Sequence, residues 1–312
     1  MHGDMSCERR DEPVHEGVDV DVRISKALTL GVATALAAGA LALTGCGSSS
    51  QTSGSGAAGT PSGPSGTLTI SGSDTMVNMA QAWADAFQTA NPNVTIAVKG
   101  GGSGVGIAAL INGTVDFADA SRTMKSEEVT QATTKNINPV ATKVARDGVA
   151  IIVNTTNPVE NLTMDQLGKI YLGTITNWKQ VGGPDKPITL VSRDPSSGTY
   201  EFMTGKVLLG GKFAPSAKLL ASTQAVADEV ASDPNAIGYI GVGYESTKIK
   251  VIGVNGIKAS VATVKDETYP LWRFLYMYSN GEPTGAGKAY VDWILGADGQ
   301  KVVTDQGFVT LN

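Results

Sequence analysis

The amino-acid sequence predicts an α/β protein folded as two α/β lobes around a cleft, and three observations carry that prediction. From residue 67 onward, short β-branched or apolar runs alternate with segments of helical periodicity, the grammar of parallel sheet layers with helices on their faces. Three times a run of strand character passes into a loop of Gly, Ser and Thr that opens a helix, twice in the first half and once in the second. Residues 270–278 carry four aromatic side chains, five with Tyr269, which suits a late strand crossing back between the lobes. A single doubly wound domain is the alternative arrangement of the same elements.

Element by element, residues 67–71 form a β-branched run, and then Met76, Met79, Ala80, Trp83 and Phe87 line one face of a helix that should stop near Asn91-Pro92. Residues 94–99 read as a second strand. Ile107, Ala108, Leu110 and Ile111 start another helix, closed by Asn112-Gly113, and Val115 and Phe117 open a third strand. In the second half, residues 149–154 are a buried strand and residues 163–172 a helix capped by Thr163. A strand over 188–192, helices over 197–209 and 225–231, a strand over 237–240 and a closing helix over 290–295 complete the pattern.

The first 66 residues are of a different kind. Arg23 and Lys26 precede an uncharged apolar stretch over 27–43 that is short for a membrane span of about 20 residues and suits a cleaved signal. It ends in Leu43-Thr44-Gly45-Cys46, which resembles the lipobox of bacterial lipoproteins and implies a diacylglycerol anchor on Cys46. Residues 1–45 are therefore read as the signal region and 46–66 as the lipidated Cys and a flexible linker, since residues 47–66 have no charge and no large side chain with which to fold. Residues 1–21, with seven acids against two arginines, have the wrong sign for a signal, so the expected start lies at Val22.

Removing the seven acids and four bases of residues 1–45 from 29 and 24 leaves 22 and 20, a net charge of −2 that argues against a nucleic-acid partner. Both histidines, His2 and His15, and Cys7 precede Cys46. The remaining chain thus has no residue for a Ser-His-Asp or Cys-His nucleophile, a His or Cys metal site, or a disulfide. Neither a cofactor nor a metal is expected, nor an enzyme.

The chemistry gathers in the three loops: residues 71–76 (SGSDTM), 100–106 (GGGSGVG) and 193–199 (RDPSSGT). Each presents backbone N–H groups and a hydroxyl at a helix N-terminus, which carries about half a positive charge and binds anions. Glycine lets the backbone approach a ligand closely. A Ser or Thr in such a place is also an ordinary helix cap, and the glycine loop has neither a GxGxxG register nor a terminal Gly-Lys-Ser/Thr. Arg193, four residues before Ser197, raises the joint reading, because a guanidinium adds forked donors and a full charge.

Four segments in order, SGSDTMVNMAQAWADAF, GGGSGVGIAALINGTVDFADASR, ITNWKQVGG and SRDPSSGTYEF, closely resemble the PstS family, the phosphate-binding proteins of bacterial phosphate ABC transporters. The resemblance covers residues 67–312 and implies a type II periplasmic-binding-protein fold, with residues 67–147 plus 268–312 as one lobe and 148–267 as the other. It implies inorganic phosphate as ligand, ABC transporter permease subunits as partners, and a monomer held by its lipid anchor on the extracytoplasmic face of the cell membrane.

Carried over residue by residue, the phosphate contacts are Thr75, Met76 through its amide, Ser103, Arg193, Ser197, Gly198 and Thr199. Ser121 occupies the place where better-known members have an Asp that accepts the proton of HPO4. Asp74, Asp119 and Asp147 are the candidate replacements, with Asp147 favoured because a related branch also carries Asp-Gly there. Such a carboxylate would repel fully ionised sulfate. Trp178 reads as a packing anchor. Three other readings stand beside this one: a receptor for sulfate, molybdate or tungstate, a surface sensor or adhesin, and a hydrolase of phosphate esters.

Overall fold

In the computed structural model, which describes residues 63–311, the first ordered ladder is β1 (Gly66–Gly72), hydrogen-bonded in parallel to β2 (Val94–Lys99) on one side and β3 (Phe117–Ala120) on the other. The expectations for residues 1–62, among them the export segment, the start at Val22 and the lipidated Cys46, lie outside the described residues. α1 (Val77–Ala90) links β1 to β2, and α2 (Ser103–Ile111) links β2 to β3. α3 (Ser126–Thr134) then leads into β4 (Pro139–Asn154), a 16-residue strand. The chain continues through β5 (Asn161–Leu162), α4 (Met164–Tyr171), β6 (Thr189–Arg193), α5 (Gly198–Lys206), β7 (Lys218–Leu220), α6 (Thr223–Ser232), β8 (Ala236–Gly241), β9 (Ile249–Val254) and α7 (Val261–Lys265). It closes with β10 (Trp272–Asn280), α8 (Gly285–Leu295) and α9 (Ala297–Asp305).

Strand order is β2-β1-β3-β10-β4-β8-β6-β7, with β9 pairing β4 and β5. β10 runs antiparallel to β3 and to the first part of β4, from Pro139 to Gly148. Beyond that point β4 changes partners, and Val149–Asn154 pair with β8 and β9 instead. β4 therefore joins two parts of the ladder, and the change of partners falls beside Asp147 and Gly148. Each part keeps the parallel strand–helix order read from the sequence.

Packing explains why these helices form where they do. Met79, Ala80, Trp83, Ala84 and Phe87 of α1 are all buried, and the Trp83 indole N–H donates to the Gly299 carbonyl in α9 at 2.8 Å. Phe87 meets the Tyr290 and Trp293 rings edge-on, so α1, α8 and α9 share one face of the first strands. Ile107, Leu110 and Ile111 of α2 cover the other face with Ala118, Ala120 and Tyr278. In the second part, Tyr171, Tyr239 and Phe213 meet edge-on or tilted over β6 and β8. Trp178 is fully buried and donates to the Asn235 carbonyl at 2.9 Å, a packing anchor.

Several boundaries differ from the sequence reading. The third strand begins at Phe117 rather than Val115, and α2 begins at Ser103, four residues before Ile107. α5 ends at Lys206, short of Leu209, which has φ 52° and an exposed side chain. The strand expected over 188–192 appears one residue later as β6, and the α4 cap fits: the Thr163 hydroxyl accepts from the Gln166 amide while the Gln166 side chain accepts from the Thr163 amide.

Candidate anion-binding site

Each of the three loops follows the end of a strand, β1, β2 or β6, and their hydroxyls converge. Thr75, Ser103, Ser121 and Thr199 are each at most 2% exposed. The Thr75 and Thr199 hydroxyls lie 2.9 Å apart, although the residues are 124 positions apart in sequence. Ser103 Oγ accepts the Ser121 amide at 3.0 Å and lies 3.3 Å from the Ser121 hydroxyl. Gly198 sits against this pair so closely that a Cβ would overlap both hydroxyls. Only glycine fits there, for want of space rather than for its backbone angles.

The helix termini are not alike. Ser197 caps α5, its hydroxyl accepting from the amides of Thr199 at 3.2 Å and Tyr200 at 3.4 Å. α1 and α2 have no side-chain cap, and α2 is preceded by Gly102 at φ 103°. The ordinary capping role thus accounts for Ser197, while α1 and α2 direct their positive ends at the cluster without one. The Met76 amide donates to the Ser73 carbonyl at 3.0 Å and its side chain is buried in the core. The loops also touch across the cluster: the Gly104 amide donates to the Ser196 carbonyl at 3.0 Å, and Ser196 Oγ to the Gly101 carbonyl at 3.1 Å.

Arg193 is 1% exposed and holds the turn before α6. Its Nε donates to the Leu220 carbonyl at 3.2 Å, Nη1 to Thr223 Oγ1 at 2.7 Å and Nη2 to the Ala221 carbonyl at 2.8 Å. Asp74 lies 3.3 Å from Nη1 and accepts the Thr223 amide at 2.6 Å, so this carboxylate caps α6 from the loop of α1. Most of the Arg193 fork is therefore committed to a turn that the sequence did not connect with the site.

A second guanidinium, which sequence reasoning missed, reaches the cluster directly. Arg273 Nη2 donates to Thr199 Oγ1 at 2.9 Å and to Asp147 Oδ2 at 2.7 Å, and its Nε donates to the same oxygen at 2.9 Å. Asp147 is fully buried, and its Oδ1 accepts the Val242 amide at 3.2 Å. Burial pushes the Asp147 carboxyl up and the Arg273 guanidinium down, and their mutual attraction works against both shifts. Two short hydrogen bonds onto one carboxylate oxygen are the geometry of an ion pair. The available signal was that Arg273 is the single charge in the run from 269 to 281.

Asp119, the remaining candidate acid, lies on β3 with its side chain 3% exposed and its Oδ1 without a hydrogen-bond partner. Burial raises its pKa to about 7. Its backbone carbonyl accepts the Ser73 amide at 2.8 Å, which ties it to the first anion loop. Beside the cluster a cavity of about 540 Å³ opens, with Ser121 and Arg273 on the inner wall and the rings of Phe202, Trp272, Phe274 and Tyr276 around it. What the cluster offers a ligand is donors: hydroxyls, helix-terminal amides and guanidinium N–H groups, the set that envelops a small oxyanion.

Comparison with known proteins agrees with this chemistry. The PBP superfamily domain profile matches residues 42–298. The phosphate-binding protein PstS of Bacillus subtilis is 36% identical over 247 residues, 78% of this chain and 81% of its own length. That of Pseudomonas aeruginosa is 33% identical over 274 residues, 80% and 84% of the two chains. Among solved structures, a phosphate ABC transporter substrate-binding protein from Clostridium perfringens with bound phosphate superimposes with a TM-score of 0.74 at 33% identity, over 79% of this chain and all of its own. An ABC-type phosphate transport receptor from Vibrio cholerae gives 0.67 at 30% identity, over 78% and 99%. With its fold, its loops and its relatives in agreement, the chain belongs to the PstS family of phosphate-binding proteins within the PBP superfamily.

Proposed function

We propose that the protein is an extracytoplasmic solute receptor that binds inorganic phosphate and delivers it to the permease of an ABC transporter. The observation that carries this reading is the convergence of the Thr75, Ser103, Ser121 and Thr199 hydroxyls in one buried cluster faced by the uncapped ends of α1 and α2. Such a site replaces the hydration shell of a small oxyanion with fixed dipoles. The contact set is Thr75, Met76, Ser103, Ser121, Arg193, Ser197, Gly198 and Thr199, and Asp147, the acid favoured from the sequence, meets the cluster through Arg273. Residues 67–147 with 268–312 form one lobe and 148–267 the other; they close on the anion, and the closed form docks on the permease. A lipid on Cys46 holds the monomer at the membrane.

Titration with phosphate, arsenate, sulfate and molybdate, read by the fluorescence of the four tryptophans, tests the reading. Saturable binding of phosphate and arsenate with sulfate and molybdate at least tenfold weaker is the expected result. Tighter binding of sulfate or molybdate would move the protein to another oxyanion, and no response to any of the four would overturn the receptor reading.

A further inference from the structure

Arg273 stands opposite Asp147 as a cross-strand partner in the β10–β4 ladder, at the point where β4 leaves β10 for β8 and β9. Its Nε and Nη2 are occupied by Asp147 and Thr199, but Nη1 is buried and has no hydrogen-bond partner. A guanidinium is planar and rigid, so Nη1 projects beside the Nη2 that already touches Thr199 in the hydroxyl cluster. The side chain is 4% exposed, and the Phe202 ring lies 5.3 Å from the guanidinium carbon, which fixes the plane. A charged donor held this firmly with no acceptor is poised for an anion in the cluster.

Asp147 is placed differently from an acceptor awaiting a ligand. Its Oδ2 receives two hydrogen bonds from Arg273, and its Oδ1 receives the Val242 amide. The carboxylate is thus surrounded by donors of its own chain, and its evident action is to hold the guanidinium.

We propose that Arg273 is a direct anion-binding residue of this site through Nη1, and that Asp147 is its positioning residue rather than the acceptor of the anion's proton. The assignment rests on the oxyanion-receptor reading above. It gives the cluster a second guanidinium besides Arg193, supplied from β10 beside the point where β4 changes partners.

Calorimetry with inorganic phosphate on Arg273→Gln, Arg273→Lys, Asp147→Asn and the double variant Asp147→Asn/Arg273→Gln tests it. A lost charge matters more to a doubly than to a singly ionised anion. Arg273→Gln is therefore expected to weaken phosphate at least tenfold at alkaline pH and by a smaller factor at acid pH, with Arg273→Lys recovering part of the loss. Should the single Gln variant not fold around the unpaired Asp147, the double variant replaces the ion pair with two amides and is expected to bind at least fivefold more weakly than Asp147→Asn alone. Equal affinity of the double variant and Asp147→Asn, or an equal loss at both pH values, would overturn a direct role for Arg273. Asp147→Asn is expected to keep the preference for phosphate over sulfate, and losing that preference would return Asp147 to the acceptor role. Binding of sulfate or molybdate instead of phosphate, with the same loss on Arg273→Gln, would remove phosphate as ligand and leave Arg273 in place.

Discussion

Asp119 ties the stability of the chain to pH in the direction opposite to that of an ion-paired acid such as Glu128. Its carboxyl is 3% exposed, its Oδ1 has no hydrogen-bond partner, and burial raises its pKa from 3.8 to about 7. Between those two values the unfolded chain has released the proton while the folded chain keeps it. Stability is therefore full below the unfolded value and falls as pH rises through the folded one, by about 1.4 kcal/mol per pH unit and roughly 4 kcal/mol in all. Asp119→Asn is nearly isosteric and does not ionise, so it abolishes this slope. Urea unfolding of both proteins at about pH 5 and about pH 8 should show the variant gaining ~3 kcal/mol on the wild type between the two conditions. A difference that stays constant to within ~0.5 kcal/mol would refute the reasoning, because it would mean that the carboxylate finds donors or water when ionised.

Other residues separate binding from folding. Thr199→Ala removes the hydroxyl that meets both Thr75 and Arg273 at 2.9 Å, and calorimetry should show phosphate affinity falling about tenfold, ~1.4 kcal/mol, with little change in melting temperature. Gly198→Ala puts a methyl group into the Ser103 and Ser121 hydroxyls; it should reduce phosphate affinity by roughly 100-fold, and an affinity within threefold of wild type would contradict the packing of the cluster. Trp83→Phe deletes the buried bond to the Gly299 carbonyl and should lower the urea-derived stability by about 1–3 kcal/mol without changing phosphate affinity.

The fold was readable where one face of an element is apolar and the other is not. α1 is the clearest case, since its five buried residues include Met79, Ala80, Trp83 and Phe87, four of the five positions named from spacing. α3 was not foreseen because SEEVTQATT buries only Ala132, so its helical form depends on the Glu128 capping bond to the Lys125 amide and on Arg122, not on a stripe. β4 was half seen. Residues 149–154 are all buried and read as a core strand, whereas residues 139–148 alternate irregularly, with Pro139, Lys143 and Arg146 in the run, and become strand only by pairing with β10. β9 and α9 likewise draw their form from partners far along the chain.

For the site, legibility follows the distinction between a loop and a ladder. Thr75, Ser103, Ser197, Gly198 and Thr199 belong to local strand–loop–helix units, and such units announce themselves through Gly, Ser and Thr in a short window. Arg273 and Asp147 are brought together by register alone, 126 residues apart, and no window of sequence holds both. Arg193 shows the same limit from the other side: its neighbours in sequence are the anion loop, yet its fork is filled by Leu220, Ala221 and Thr223, from the end of β7 to the first residue of α6. A charge next to an anion loop in sequence and a charge next to it in space are thus separate facts. In this chain the hydroxyls could be read from local pattern, but which guanidinium faces them is decided by which strands pair.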